Sequence, residues 1–191
     1  LDKGGKDDKS FNASAFRGAT EAKTKLGISL KEVEATDDNA YETLMRSFAK
    51  KDFDLIIAIG VAQLDALKKV SAQFPDKKFA IVDADVSGPN VRSLLFEEHE
   101  GSYLAGAVAA LASKSGKIGF IGGMDLPLIR NFAAGFSHGA RYARPDVSVT
   151  VAMVGPTNAA WSNPERAHEI ALDLYADKAD IIFAAAGGST V

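Results

Sequence analysis

Leu55-Ile56-Ile57-Ala58-Ile59, followed at once by Gly60-Val61-Ala62, is an unbroken apolar run that ends on a glycine. It shows no alternation with polar residues, so neither face of the strand it forms is patterned for water. That is the pattern of a parallel strand covered on both sides. Ile181-Ile182-Phe183-Ala184 repeats it near the other end of the chain. Outward from these two runs the pattern alternates strand and helix. The spacing predicts helix 10–26, strand 29–35, helix 38–50, strand 54–59, helix 62–73, strands 78–83 and 91–96, and helix 99–113. A second series follows, with strand 117–122, helix 126–143, strand 147–154, helix 163–177 and strand 180–185. Alternating β and α segments with short loops specify an open α/β sheet. Right-handed crossovers then gather the strand-to-helix loops on one edge.

That edge is where ligands bind in open α/β sheets, and the unusual residues collect in its loops. They are Gly60-Val61-Ala62, Asp83-Ala84-Asp85, Gly122-Gly123-Met124-Asp125 and Gly187-Gly188-Ser189. Lys114-Ser115-Gly116 is a polar break between the two series, so residues 1–113 are expected to form one lobe and 114–191 the start of another. The break itself is expected to act as a hinge. The halves share architecture and not residues, so they are no repeat. The chain begins as if in the tail of a strand and stops where a helix is due. Both ends therefore read as cut and the second lobe as incomplete.

The first residues, Leu1-Asp2-Lys3-Gly4-Gly5-Lys6-Asp7-Asp8-Lys9-Ser10-Phe11-Asn12, form a polar, glycine-bearing loop that runs into the first helix. Ser10 or Asn12 can cap that helix, and its free N–H donors face outward as a place for a ligand. Phe11 has either a core slot or a flat ligand to cover. Asp125, ahead of Pro127, suits a helix N-cap and equally a sugar hydroxyl. Trp161, the one tryptophan, precedes a helix opened by Asn163 and Pro164. It can line a cleft or pack on that helix.

The 191 residues are 47% hydrophobic and 25% charged, with a net charge of −3, which gives no reason to expect nucleic acid or an anionic membrane surface. No apolar run approaches a membrane span. The absence of cysteine excludes disulfides and thiol chemistry. His99, His138 and His168 are scattered on helices without metal-ligand spacing, so no metal and no cofactor are expected. Glu97, Glu98 and Glu100 suit a helix N-terminus through its dipole. The glycines at 116–123 fit neither dinucleotide nor P-loop fingerprints, and no nucleophile elbow is present. No catalytic set stands out, and an enzyme is not expected.

Four motifs carry a resemblance. Asp2-x-Gly-Gly-x-Asp-Asp-Lys-Ser-Phe-Asn, Glu97-x-His-Glu-Gly-Ser, Ser113-Lys-x-Gly-Lys-Ile-Gly-Phe-Ile-Gly-Gly-Met-Asp125 and Ala185-Ala-Gly-Gly-Ser189 occur in order along the whole chain. Together they resemble the basic-membrane-protein family, bacterial substrate-binding lipoproteins of ABC transporters related to a purine nucleoside receptor. The resemblance implies a type I periplasmic binding-protein fold, with two Rossmann-like lobes closing on a nucleoside. It implies an extracytoplasmic protein that docks on an ABC transporter permease. Such a protein is held to the membrane only through a lipid anchor that this chain lacks. By motif position, Asp2 and Asn12 would hydrogen-bond the base. Phe11 and Phe183 would stack on its two faces, and Asp125 would lie near the ribose or hinge. Gly60, Asp83, Met124 and Gly187 complete the candidate ligand-binding set. The effector lobe of a transcription regulator and a nucleoside-handling α/β enzyme are the alternatives.

Overall fold

The computed structural model describes residues 1–190 and divides into two compact units, Leu1–Phe96 and a second that begins at Glu97. In the first unit α1 (Phe11–Leu26), α2 (Ala40–Ala49), β1 (Ile56–Ile59), α3 (Leu64–Gln73), β2 (Phe79–Val82) and β3 (Val91–Leu94) follow one another. A 3₁₀ turn, Val61–Gln63, joins β1 to α3. The three strands form one parallel sheet in the order β1-β2-β3, with Ile56 opposite Phe79 and Phe79 opposite Val91. Its core is Met45 and Ala49 of α2, Leu67 and Val70 of α3, and Ile56, Ala58, Phe79 and Ile81 of the sheet. Each large apolar side chain buried there contributes about 1.5–3 kcal/mol. Burial of β1 alternates: Ile56 and Ala58 are covered, whereas Leu55 and Ile57 are half exposed. The period of two places those pairs on opposite faces, and the α2–α3 side carries the core.

Residues 29–35, expected as a strand, form none. The Leu1 N–H donates to Val33 O at 2.9 Å and Ala35 N–H to Leu1 O at 3.3 Å. That alternation is the parallel-ladder pattern, but it spans one residue of partner, too little for a strand. Between β2 and β3 the chain returns through residues 83–90 without a helix. Asn90 Nδ2 faces the carbonyls of Ser71, Phe74 and Lys77 at 3.1, 3.0 and 2.9 Å and pins this return to the end of α3.

The second unit holds α4 (Glu98–Ala112), β4 (Lys117–Gly122), α5 (Pro127–Ala143), β5 (Ser148–Met153), α6 (Pro164–Ala176) and β6 (Ile181–Ala185). Its parallel sheet runs β5-β4-β6, with Phe120 opposite both Val151 and Phe183. Phe120, Phe136 and Ile118 are fully buried at its centre. The boundary between the units falls at Phe96/Glu97 and not at the expected 113/114. The cause is the fit of α4 to α5. A Cβ on Gly106 would stand 1.9 Å from Phe136 O, and one on Gly139 1.9 Å from Tyr103 O. The two helices touch backbone to backbone, and no larger residue permits that approach.

Lys114–Gly116 lies inside the second unit as a braced turn. Asp180 accepts from Ser113 Oγ at 2.7 Å, Lys114 N–H at 2.7 Å and Ser115 N–H at 2.9 Å. The Ser113 hydroxyl and the Ser115 N–H hold the Asp180 carboxyl down at about 2, with the Lys114 N–H adding to them. A turn tied by three bonds to the neighbouring strand's approach does not serve as the expected hinge.

Candidate functional site

The first helix begins differently from expectation, and that difference builds the loop before it. Ser10 stands at the N-cap position without a side-chain cap bond. Asp8 takes the task from two residues upstream. Its carboxylate accepts from the N–H groups of Ser10, Asn12 and Ala13, each at 2.9 Å. Burial works against the charged carboxyl, but the N–H groups of Ala13, Ser10 and Asn12, with the Asn12 amide, bring its pKa below the ordinary value. Two of the donors expected to face a ligand at this helix end, the N–H groups of Asn12 and Ala13, are thus spent on Asp8.

Asn12 is 1% exposed and its amide is engaged at both ends. Nδ2 donates to Asp2 Oδ1 at 2.6 Å and to Asp8 Oδ2 at 2.9 Å, while Oδ1 accepts from the Asp2 N–H at 3.2 Å. Asn12 therefore holds the loop, where the resemblance implied that it reads a base. Asp2 Oδ1 also accepts from the Gly4 N–H at 2.8 Å. These bonds occupy Oδ1 and turn Oδ2 toward the end of β1.

There Gly60 adopts φ +92°, outside the range of ordinary L-residues, and is buried. A Cβ on it would stand 3.1 Å from Phe11 Cε1 and 3.8 Å from Asp2 Oδ2. Three sequence-predicted residues, Asp2, Phe11 and Gly60, thus meet at one strand end. The edge of the Phe11 ring stands against the bare Gly60 backbone, half-buried, and Phe11 is absent from the residues that pack on the first unit's core. Asp83 ends β2 in the left-handed region at φ +58° and accepts no helix after it. Tyr41, which the sequence reading passed over, faces this loop. Burial and the Asp2 charge push its hydroxyl up to about 12.

In the second unit Met124 and Asp125 follow β4, and Gly187 follows β6 with φ +55°. Asp125 is not the helix cap, since Leu126 occupies that position. Its carboxylate pairs in two-pronged fashion with Arg130, Nε to Oδ1 at 2.6 Å and Nη2 to Oδ2 at 2.9 Å, which lowers its pKa. Both partners are exposed. Met124 packs on the apolar cluster that includes Ile121, Val154, Ile170 and Leu174. The Phe183 ring stacks on Phe136 at 5.3 Å between centroids and tilts against Phe120 at 5.7 Å. It belongs to the unit's core and is half-buried there.

Trp161 lies in a 3₁₀ turn, Asn158–Trp161, between the two strand-end loops of this unit. A Cβ on Gly123 would meet its Cζ3 at 2.3 Å, and its carbonyl oxygen would stand 3.3 Å from one on Gly188. Asn163 caps α6 as expected, its side chain accepting from the Arg166 N–H at 3.1 Å with Pro164 in the first turn. Among the described residues no group of histidines and carboxylates could hold a metal ion, and no helix is long and apolar enough to cross a membrane.

A family model described as the PnrA-like substrate-binding protein of ABC transporters matches residues 1–191. A CD4+ T-cell-stimulating antigen of Listeria monocytogenes is 35% identical over 98% of this chain and 53% of its own length. The ABC transporter nucleoside-binding protein BmpA of Lactococcus lactis is 32% identical over 98% of this chain and 54% of its own. Among solved structures, the solute-binding protein of an ABC transporter system from Aeropyrum pernix matches with a TM-score of 0.85 and 26% identity. It is matched over 97% of this chain and 53% of its own. The chain thus spans about half the length of these relatives. The parallel α/β units and the structural likeness are those of the type I periplasmic binding-protein fold.

Proposed function

The chain belongs to the Bmp family of PnrA-like ABC transporter substrate-binding proteins, and from that premise we propose that its protein captures a nucleoside, a purine one, outside the cytoplasm for an ABC importer. It would do so without chemistry, as a lipid-anchored receptor that hands its ligand to a permease. The observation that carries the reading is the strand end of the first unit. Phe11 stands against Gly60 outside the core, with Asp2 Oδ2 beside it. A partly exposed ring beside bare glycine backbone suits stacking with a flat heteroaromatic group. A carboxylate only accepts hydrogen bonds, so the ligand must present a donor to it, and the N–H groups of nucleoside bases do so. The Lactococcus relative's name points to the same ligand class.

Within this reading Asn12 and Asp8 are positioning residues that keep Asp2 in place. Asp125 is an exposed rim carboxylate whose pair with Arg130 can open at small cost, since water screens such surface pairs. Phe183 would lend the ligand only the part of its ring that Phe120 and Phe136 leave uncovered. The test is titration of purine and pyrimidine nucleosides into the complete protein and its Asp2→Asn variant. The reading expects a nucleoside to bind and Asp2→Asn to weaken it about ten- to a hundred-fold, because hydrogen bonds to charged groups contribute about 1.5–3 kcal/mol. Equal binding by both proteins removes Asp2 from the site.

A further inference from the structure

Among the described residues two side-chain polar atoms are buried without a hydrogen-bond partner, Ser102 Oγ and Trp161 Nε1. Ser102 lies in α4, which meets α5 backbone to backbone at Gly106 and Gly139. A helical serine can also turn to a carbonyl of its own helix. The indole of Trp161 has no such recourse, because its N–H only donates and its direction is fixed by the ring.

Trp161 stands at a different kind of place. Cζ3, Cε3 and Cη2, the edge of the indole farthest from the nitrogen, are the atoms nearest Gly123 at the end of β4. Its carbonyl oxygen sits against Gly187 and Gly188 at the end of β6. The Ser189 hydroxyl ties the segment down, donating to Ala160 O at 2.7 Å and accepting from the Asn163 N–H at 2.7 Å. The ring is therefore wedged by its carbon edge between the two loops that carry Met124, Asp125 and Gly187. The residue as a whole is partly exposed at this rim. In a parallel α/β sheet this is the ligand edge.

We propose that Trp161 is a specificity-determining residue of the binding site, its indole N–H donating to an acceptor atom of the nucleoside. The inference rests on the nucleoside reading above and supplies a donor for that ligand from the second unit. The acceptor is a ribose oxygen or a base ring nitrogen, and both present the lone pair the indole lacks. A buried donor left unmet is costly, so a ligand that meets it gains over one that does not. The site then selects for an acceptor at one position of the ligand, as sites built to hydrogen-bond a group reject analogues lacking it.

The experiment uses the complete protein, wild type and Trp161→Phe, with the nucleoside that binds best and its deoxy and deaza analogues. Trp161→Phe keeps an apolar ring on Gly123 and deletes the donor. Calorimetry is expected to show about ten-fold weaker binding of the nucleoside by the variant, the effect of one hydrogen bond, at an unchanged or higher melting temperature. One analogue, deoxy or deaza, should lose the same factor with the wild type and nothing with the variant, which identifies the acceptor. In the ¹H–¹⁵N spectrum the indole resonance missing from the variant should move on adding nucleoside to the wild type. A wild type that binds nucleoside with that resonance unmoved, and with every analogue bound alike, overturns the inference and leaves the nucleoside reading intact, whether or not the variant folds. A wild type that binds no nucleoside overturns both.

Discussion

Replacing Asn12 by alanine tests whether this residue holds the ligand loop or touches the ligand. The side chain makes two bonds from Nδ2 to carboxylates, at 2.6 and 2.9 Å, and accepts one from the Asp2 N–H at 3.2 Å. Bonds to charged groups contribute about 1.5–3 kcal/mol each and neutral ones about 0.5–1.5 kcal/mol. Asp2 and Asp8 are only half-buried, so water replaces part of what they lose. The net cost is then about 2–4 kcal/mol. At about 4–8 °C per kcal/mol for a domain of this size, the first unit's melting temperature should fall by about 10 °C or more. Binding should weaken as well, because Asp2 loses the amide that orients it. Differential scanning calorimetry with and without nucleoside, on the complete protein, reads both effects. Unchanged melting with abolished binding would refute the reasoning, since that result belongs to a residue that reads the base directly.

Three further outcomes follow from particular contacts. Phe11→Ala should weaken nucleoside binding about ten- to a hundred-fold, the worth of about 1–3 kcal/mol per stacked base, with little change in melting; isothermal titration checks it, and a drop in melting temperature without loss of affinity assigns the ring to packing. Phe183→Ala should destabilise the second unit by about 3 kcal/mol in denaturant titrations, within the range for a buried phenylalanine, because its ring packs on Phe120 and Phe136. Asp180, held at about 2 against an ordinary 3.8, stabilises the α4–β4 turn while charged. Its folded pKa is depressed, so that stabilisation is present above about pH 4 and is lost as pH falls toward about 2. Asp180→Asn should flatten the pH dependence of stability in that window, and an identical acid profile for the two proteins would contradict the assignment.

Much of the architecture was legible because it rests on local pattern. The apolar runs at 55–59 and 181–184 mark parallel strands, and both form close to the expected positions, but not covered on both faces as expected, since Leu55 and Ile57 are half exposed and β6 is only partly buried. Asn163 followed by Pro164 marks a helix start that the structure keeps. Features set by distant contacts were not legible. Residues 29–35 have the composition of a strand but meet only Leu1 in ladder fashion. The allegiance of α4 depends on glycines 106, 135 and 139 meeting backbone of the facing helix, and no single helix announces that. At the site, Asp2, Phe11 and Gly60 converge at the end of β1, a meeting that Gly60's separation of 49 residues or more from the other two hides from the sequence. Ser10 or Asn12 was expected as the cap and Asp8 takes that task, since an aspartate two residues ahead of an N-cap can reach the same donors as the cap. Trp161 and its unmet N–H needed the fold, for burial of a single atom has no sequence signature.

Calorimetric titration of adenosine, guanosine, inosine and cytidine into the complete protein addresses the central claim most directly. A nucleoside receptor built around Phe11 and Asp2 should bind at least one purine nucleoside with a Kd of about micromolar or tighter, about 8 kcal/mol of binding. Binding of all four no tighter than about millimolar, about 4 kcal/mol, would contradict it.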